Sequence, residues 1–189
     1  MLYGVEITKG LVKQALKLFK VPVLLYNLCM SDYKVFIDNG IYDINNGKYD
    51  SAVENITKSI ELKKDWEISY FYRAVAHHAL ENYDEAMLDY TKALQINPKM
   101  TDAYYNRARI ILSRKDLQNP DYQKAIADLE KAIELDENFV DALYAIATAY
   151  KKIEDYHKCL VYLEKLLQIQ PDAIYAKALK KLILQKYII

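Results

Sequence analysis

The feature that most restricts this chain is that it matches itself when shifted by 34 residues. Tyr49, Tyr83, Tyr122 and Tyr156 head four similar stretches, GKYDSAVENITKSIEL, ENYDEAMLDYTKALQI, NPDYQKAIADLEKAIEL and EDYHKCLVYLEKLLQI, at steps of 34, 39 and 34. Within each stretch, apolar residues recur at i, i+4, i+7 and i+8, as Ala86, Tyr90, Ala93 and Leu94 do. That is the period of a helix with one buried stripe. Asp50 and Asp84 suit a helix start, where a carboxylate accepts from free backbone N–H groups. A second helix precedes each stretch. Phe36, Tyr70, Tyr104 and Leu143 fall in register, and Gly40, Ala74, Ala108 and Ala147 follow each of them one turn later. Large then small on one face lets two helices interlock. Asn97-Pro98 and Gln170-Pro171 end the second helix of their units, because proline lacks a donor and disfavours helix before it. The third unit carries five extra residues within 113–124, where Asn119-Pro120 breaks any helix. That insertion reads either as a longer connecting loop or as a contact loop for a partner.

These residues resemble the tetratricopeptide repeat, a family whose unit is two antiparallel helices, A and B. Residues 67–100 match almost throughout, through Tyr70, Ala74, Ala86, Tyr90, Ala93 and Pro98, with His77 at a place usually aromatic. Residues 33–66 match through Phe36, Gly40, Ala52, Ile56 and Ser59, with Lys64 in place of Pro. Residues 101–139 match through Tyr104, Ala108, Ala125, Leu129 and Ala132. Residues 140–173 match through Leu143, Ala147, Tyr150, Leu163 and Pro171, with Cys159 and Leu166 at two small positions. The resemblance covers about three quarters of the chain. It implies an all-α, right-handed solenoid of four such units, with an extra helix at each end.

The resemblance also implies a groove lined by A helices. Carried over position by position, the groove residues include Ile37 in the first unit and Phe71, Tyr72 and Val75 in the second. Tyr105, Asn106 and Arg109 follow in the third, and Asp141 and Tyr144 in the fourth. Phe71, Tyr72, Val75, Tyr105, Asn106, Arg109 and Tyr144 form an apolar, aromatic surface suited to a peptide or helix with apolar anchors. One subfamily clamps the C-terminal carboxylate of heat-shock chaperones with Lys, Asn, Asn, Lys and Arg. Only Asn106 matches; Phe71, Val75, Asp141 and Ala145 hold the other places, so a chaperone tail is not expected.

The two ends stand apart. Ile7, Leu11, Ala15 and Leu18 make an apolar line over residues 5–20, with Lys9, Lys13, Lys17 and Lys20 as a basic stripe, and Pro22 follows. This amphipathic helix could cover the first repeat, lie on an anionic membrane or in another protein's groove, or form part of an export signal. Residues 174–189 read as a capping helix with Tyr175, Leu179 and Ile183 on one stripe and Ala178 and Leu182 beside it. The apolar end Lys186-Tyr187-Ile188-Ile189 either folds back or meets a second copy, as a homodimer.

No catalytic or metal-binding constellation is present in the sequence: no Gly-rich phosphate loop, no HExxH, no paired CxxC. His77 and His78 are adjacent on a helix and point roughly 100° apart, which does not suit a shared metal. Cys29 and Cys159 read as two reduced structural thiols, consistent with a cytoplasmic protein. Lys plus Arg equals Asp plus Glu, at 26 each, and bases and acids are similar in number along the groove, so nucleic acid is not expected. The sequence therefore points to a protein that is not an enzyme and needs no cofactor: an interaction scaffold holding a peptide or protein in its groove. Two alternatives remain. One is a self-associating protein whose groove is filled by residues 1–32 or a second copy. The other is a membrane-peripheral assembly factor held by helix 5–20.

Overall fold

The computed structural model describes residues 32–114 and 121–187. The expected helix at 5–20, Cys29, much of the third unit's insertion, and Ile188 and Ile189 lie outside the described residues. Among the described residues all regular structure is helical: α1 (Tyr33–Asn45), α2 (Tyr49–Leu62), α3 (Glu67–Ala79), α4 (Tyr83–Ile96), α5 (Thr101–Ser113), α6 (Tyr122–Leu135), α7 (Val140–Lys152), α8 (Tyr156–Ile169) and α9 (Ile174–Tyr187).

The 34-residue repeat is visible in the turns. Gly47, Glu81 and Glu154 occupy the same repeat position and all are left-handed, with φ of 71°, 60° and 63°. Each turn closes with the same backbone bond: the N–H of Lys48 donates to Asp43 O at 2.8 Å, Asn82 to His77 O at 2.9 Å, and Asp155 to Tyr150 O at 3.0 Å. Only Gly47 adopts that backbone without crowding a Cβ. Glu81→Gly and Glu154→Gly are each expected to raise stability by about 0.5–1 kcal/mol, the relief of left-handed strain less glycine's entropy cost. Urea unfolding checks this; a loss of stability in both variants would contradict the left-handed turn.

Helix starts follow two devices. Asp121 and Asp155 stand just before α6 and α8, and their carboxylates accept from the N–H of Lys124 at 3.2 Å and Lys158 at 3.0 Å. Asp50 and Asp84 lie inside the first turn of α2 and α4, where a negative charge meets the positive end of the helix dipole. Pro98 and Pro171 follow helices that stop at Ile96 and Ile169, as their chemistry requires.

The chain divides into two compact units, Met1–Ala86 and Met87–Ile189. In the first, α1 packs on α2 and α2 on α3 around Ile37, Ala52, Ile56, Ile60 and Ala76. Ile37, a groove position by family register, is buried here at 1% exposure. It joins the cluster built from α2 and α3 residues. At Gly40 the two helices of the α1–α2 hairpin approach closely. A Cβ there would overlap Ile56 Cγ1 and lie 2.9 Å from its Cδ1. Gly40→Val is expected to cost about 3 kcal/mol by overpacking, and Ile56→Ala in the same chain should recover part of it; thermal melts of the single and double variants decide.

In the second unit, α5 packs on α6, α6 on α7, α7 on α8, and α9 on α8. The B-helix positions hold Ala125, Leu129 and Ala132 in α6 and Cys159, Leu163 and Leu166 in α8, all fully buried. The last helix departs from the expected stripe. Ala176, Leu179 and Ile183 are buried, while Tyr175 and Leu182 stay 41% and 44% exposed. The reason is that α9 keeps the A-helix register. Ala176 and Ile183 fall 34 residues after Ala142 and Ala149 and face back onto the core. Lys177 and Lys181 fall where α7 has the interlocking pair Leu143 and Ala147, and both lysines are exposed.

Candidate peptide-binding face

The sequence-predicted residues lie on three A helices. Phe71, Tyr72 and Val75 are on α3 in the first unit, each half-buried. The Phe71 and Tyr72 rings meet edge-on at 5.3 Å, and Tyr72 also packs against the Ile37–Ile56 cluster. In the second unit, α5 carries Tyr105, Asn106 and Arg109, and α7 carries Tyr144. The exposed Arg109 guanidinium lies 5.6 Å over the Tyr105 ring and donates to Asn106 Oδ1 at 3.4 Å. One helical turn thus gathers an aromatic, an amide and a cation (neighbours at i, i+1 and i+4) into one contact surface.

Two aromatics that the sequence reading did not select complete this surface. Tyr105 packs against Phe139 with ring centroids 4.8 Å apart, and Tyr144 meets Tyr175 of α9 edge-on at 4.8 Å. Tyr175 was findable: it stands 34 residues after Asp141, itself a groove position, so extending the register into the last helix would have named it. Burial pushes the Tyr105 and Tyr175 phenols above the ordinary value near 10, and the Asp141 charge pushes both the same way; Arg109 opposes it at Tyr105. These rings stay neutral at physiological pH, half in contact with the core and half open. Such a ring loses little conformational freedom on binding and still has a hydroxyl to offer.

Behind this face, polar groups brace the helices. Arg107 forms a two-pronged pair with Asp128, Nε to Oδ2 at 2.8 Å and Nη2 to Oδ1 at 2.7 Å, and donates from Nη1 to Thr91 at 2.9 Å. The arginine–threonine bond recurs one repeat earlier, where Arg73 donates to Thr57 at 3.2 Å. The Tyr150 hydroxyl donates to Glu130 at 3.0 Å. The Cys159 thiol is buried and held above its ordinary value by that burial, which makes it a poor nucleophile. Among the described residues, no cluster of His, Cys, Asp and Glu is arranged to hold a metal, and no helix is long and apolar enough to cross a membrane.

Comparison with known families matches the tetratricopeptide repeat at residues 68–100, the TPR repeat at 117–153 and the Fis1 C-terminal tetratricopeptide repeat at 140–188. The human mitochondrial import receptor subunit TOM70 is 38% identical over 68 residues, 33% of this chain and 11% of that protein. A TPR repeat-containing protein of Methanocaldococcus jannaschii is 34% identical over 96 residues, 47% of this chain and 17% of that one. The serine/threonine-protein phosphatase T of Aspergillus oryzae is 44% identical over 73 residues, 36% of this chain and 15% of that enzyme. The chain thus spans less than a fifth of each of these relatives. Among solved structures, a MamA double mutant superimposes with a TM-score of 0.74 at 19% identity, covering 82% of this chain and 84% of that one. The first TPR of Spaghetti (RPAP3), bound to an HSP90 peptide, superimposes with a TM-score of 0.60 at 23% identity over 65% of this chain and 94% of that one. At these identities the structures establish the fold alone, an all-α solenoid of the TPR kind; the tetratricopeptide repeat whose model matches is a protein-interaction repeat and generally not a catalytic one.

Proposed function

This chain belongs to the tetratricopeptide-repeat family, and we propose that it is a non-enzymatic scaffold whose A-helix side chains hold a peptide or helix of a partner protein. One observation carries the reading. Arg109 is exposed and Tyr105, Asn106 and Tyr144 stay partly open to solvent, on helices packed to full burial at Ala103, Ala108, Ala142 and Ala147. A helix anchored that firmly presents its outer row with little entropy left to lose on binding. The chaperone-tail mode does not fit this row, because Asp141 stands where a carboxylate-binding cation is required. Apolar residues also project from B helices, Leu88 at 71% exposure and Val161 at 50%, but each stands singly, as surface residues commonly do.

A photo-crosslinking residue placed at Asn106 and, separately, at Leu88 tests the assignment in native extract. The reading expects a discrete crosslinked partner from position 106 and none from position 88. The reverse pattern would move the interaction to the B helices.

A further inference from the structure

The second unit has an acid among its open tyrosines. Asp141 opens α7 and is exposed, and no hydrogen bond or ion pair reaches its carboxylate from the described residues. Tyr144 stands one turn further along α7 and is in ring contact with Tyr175, and the Asp141 charge reaches both Tyr175 and Tyr105, raising each phenol. Tyr105 already accepts one cation, since Arg109 lies over its ring. Next to this group, α9 adds Tyr175 and Leu182, exposed on the side of the helix that leaves Ala176, Leu179 and Ile183 to the core. Ring faces carry negative charge density, so aromatic rings beside a carboxylate without an ion-pair partner attract a cation and repel an acid.

Resting on the scaffold reading above, we infer that the face formed by Tyr105, Asp141, Tyr144, Tyr175 and Leu182 takes a basic side chain, lysine or arginine, from the partner peptide, with a neighbouring apolar residue of that peptide against Tyr175 and Leu182. The carboxylate supplies the charge partner and the rings exclude water around it. The occupant is therefore opposite in charge to an acidic chaperone tail.

Random peptides displayed on phage provide the probe. They are selected on the full chain, and then the best sequence is synthesised with its basic residue intact or replaced by Gln. The expected result is enrichment of Lys or Arg beside an apolar residue, and a roughly tenfold weaker binding of the intact peptide to Asp141→Asn. Binding of the Gln peptide should be insensitive to that substitution. Asp141→Lys should select acidic peptides in place of basic ones, and Leu182→Ala should weaken the apolar preference alone. Far-UV circular dichroism confirms that each variant is folded, which matters because Asp141 also stabilises the first turn of α7. Peptides selected without any basic preference, or bound equally well by Asp141→Asn, overturn the inference. If such peptides are still lost in Tyr105→Ala/Arg109→Glu, the scaffold reading survives on its own. If no selected peptide depends on Tyr105 or Arg109, both fall.

Discussion

Ala86→Glu is expected to lower stability by about 4 kcal/mol or more, because it places an unpaired carboxylate where nothing can solvate it. Ala86 is fully buried in α4, four residues before the equally enclosed Tyr90 and seven before Ala93. A small residue at this place is what allows close helix contact, so the larger side chain also has no volume to enter. A domain of this kind has roughly 5–15 kcal/mol of stability, so the variant should lose a large part of it and melt many degrees lower. The control is two residues away. Leu88 is 71% exposed, and Leu88→Glu should stay within about 0.5 kcal/mol of wild type. Melting of Ala86→Glu within a degree or two of wild type would refute the buried interlock in α4.

The second large effect comes from Arg107. Arg107→Met is expected to cost about 3 kcal/mol, chiefly because Asp128 is left buried without its partner. The side chains of the pair are 20% and 11% exposed, so solvent can replace little of the lost interaction. The hydrogen bonds that Arg107 donates to Asp128 hold its guanidinium charged against the opposing effect of burial. Removing both charges together should be far milder: Arg107→Met/Asp128→Leu is expected within about 1 kcal/mol of wild type, since an apolar pair of similar volume often replaces a buried ion pair at little cost. Chemical denaturation of the two singles and the double gives the coupling directly. Additive losses would mean that the two residues act independently and that the pair does not brace α5 against α6.

Much of this was legible in the residues, and the reasons are local. The step from Tyr49 to Tyr83 to Tyr122 to Tyr156 fixes where four helices begin, and those helices begin at these tyrosines. The small-residue positions Gly40, Ala74, Ala108 and Ala147 are all buried, because period and size together leave few alternatives. The residues were read less well at the ends of the array. Ile37 was assigned to the groove but is buried in the cluster with Ala52, Ile56, Ile60 and Ala76, a contact that family register does not announce. Leu182 was assigned to the packed side of the last helix but is exposed, since the register that turns Ala176 and Ile183 inward turns Leu182 away. Pairings between elements distant in sequence were also invisible: neither Arg107 with Asp128 nor Tyr144 with Tyr175 has a spacing that announces it. Left-handed backbone at Glu81 and Glu154 was hidden for another reason, since the residue type there argues against it.

Co-purification from native lysate, read by mass spectrometry, tests the central claim most directly, with wild type and Tyr105→Ala/Arg109→Glu as baits and Leu88→Glu as the folded surface control. The account predicts a partner held by wild type and Leu88→Glu and lost by the double variant, with all three proteins shown by circular dichroism to be folded at the assay temperature. A partner recovered equally by all three baits would contradict it, and would place the interaction away from the Tyr105–Arg109 row.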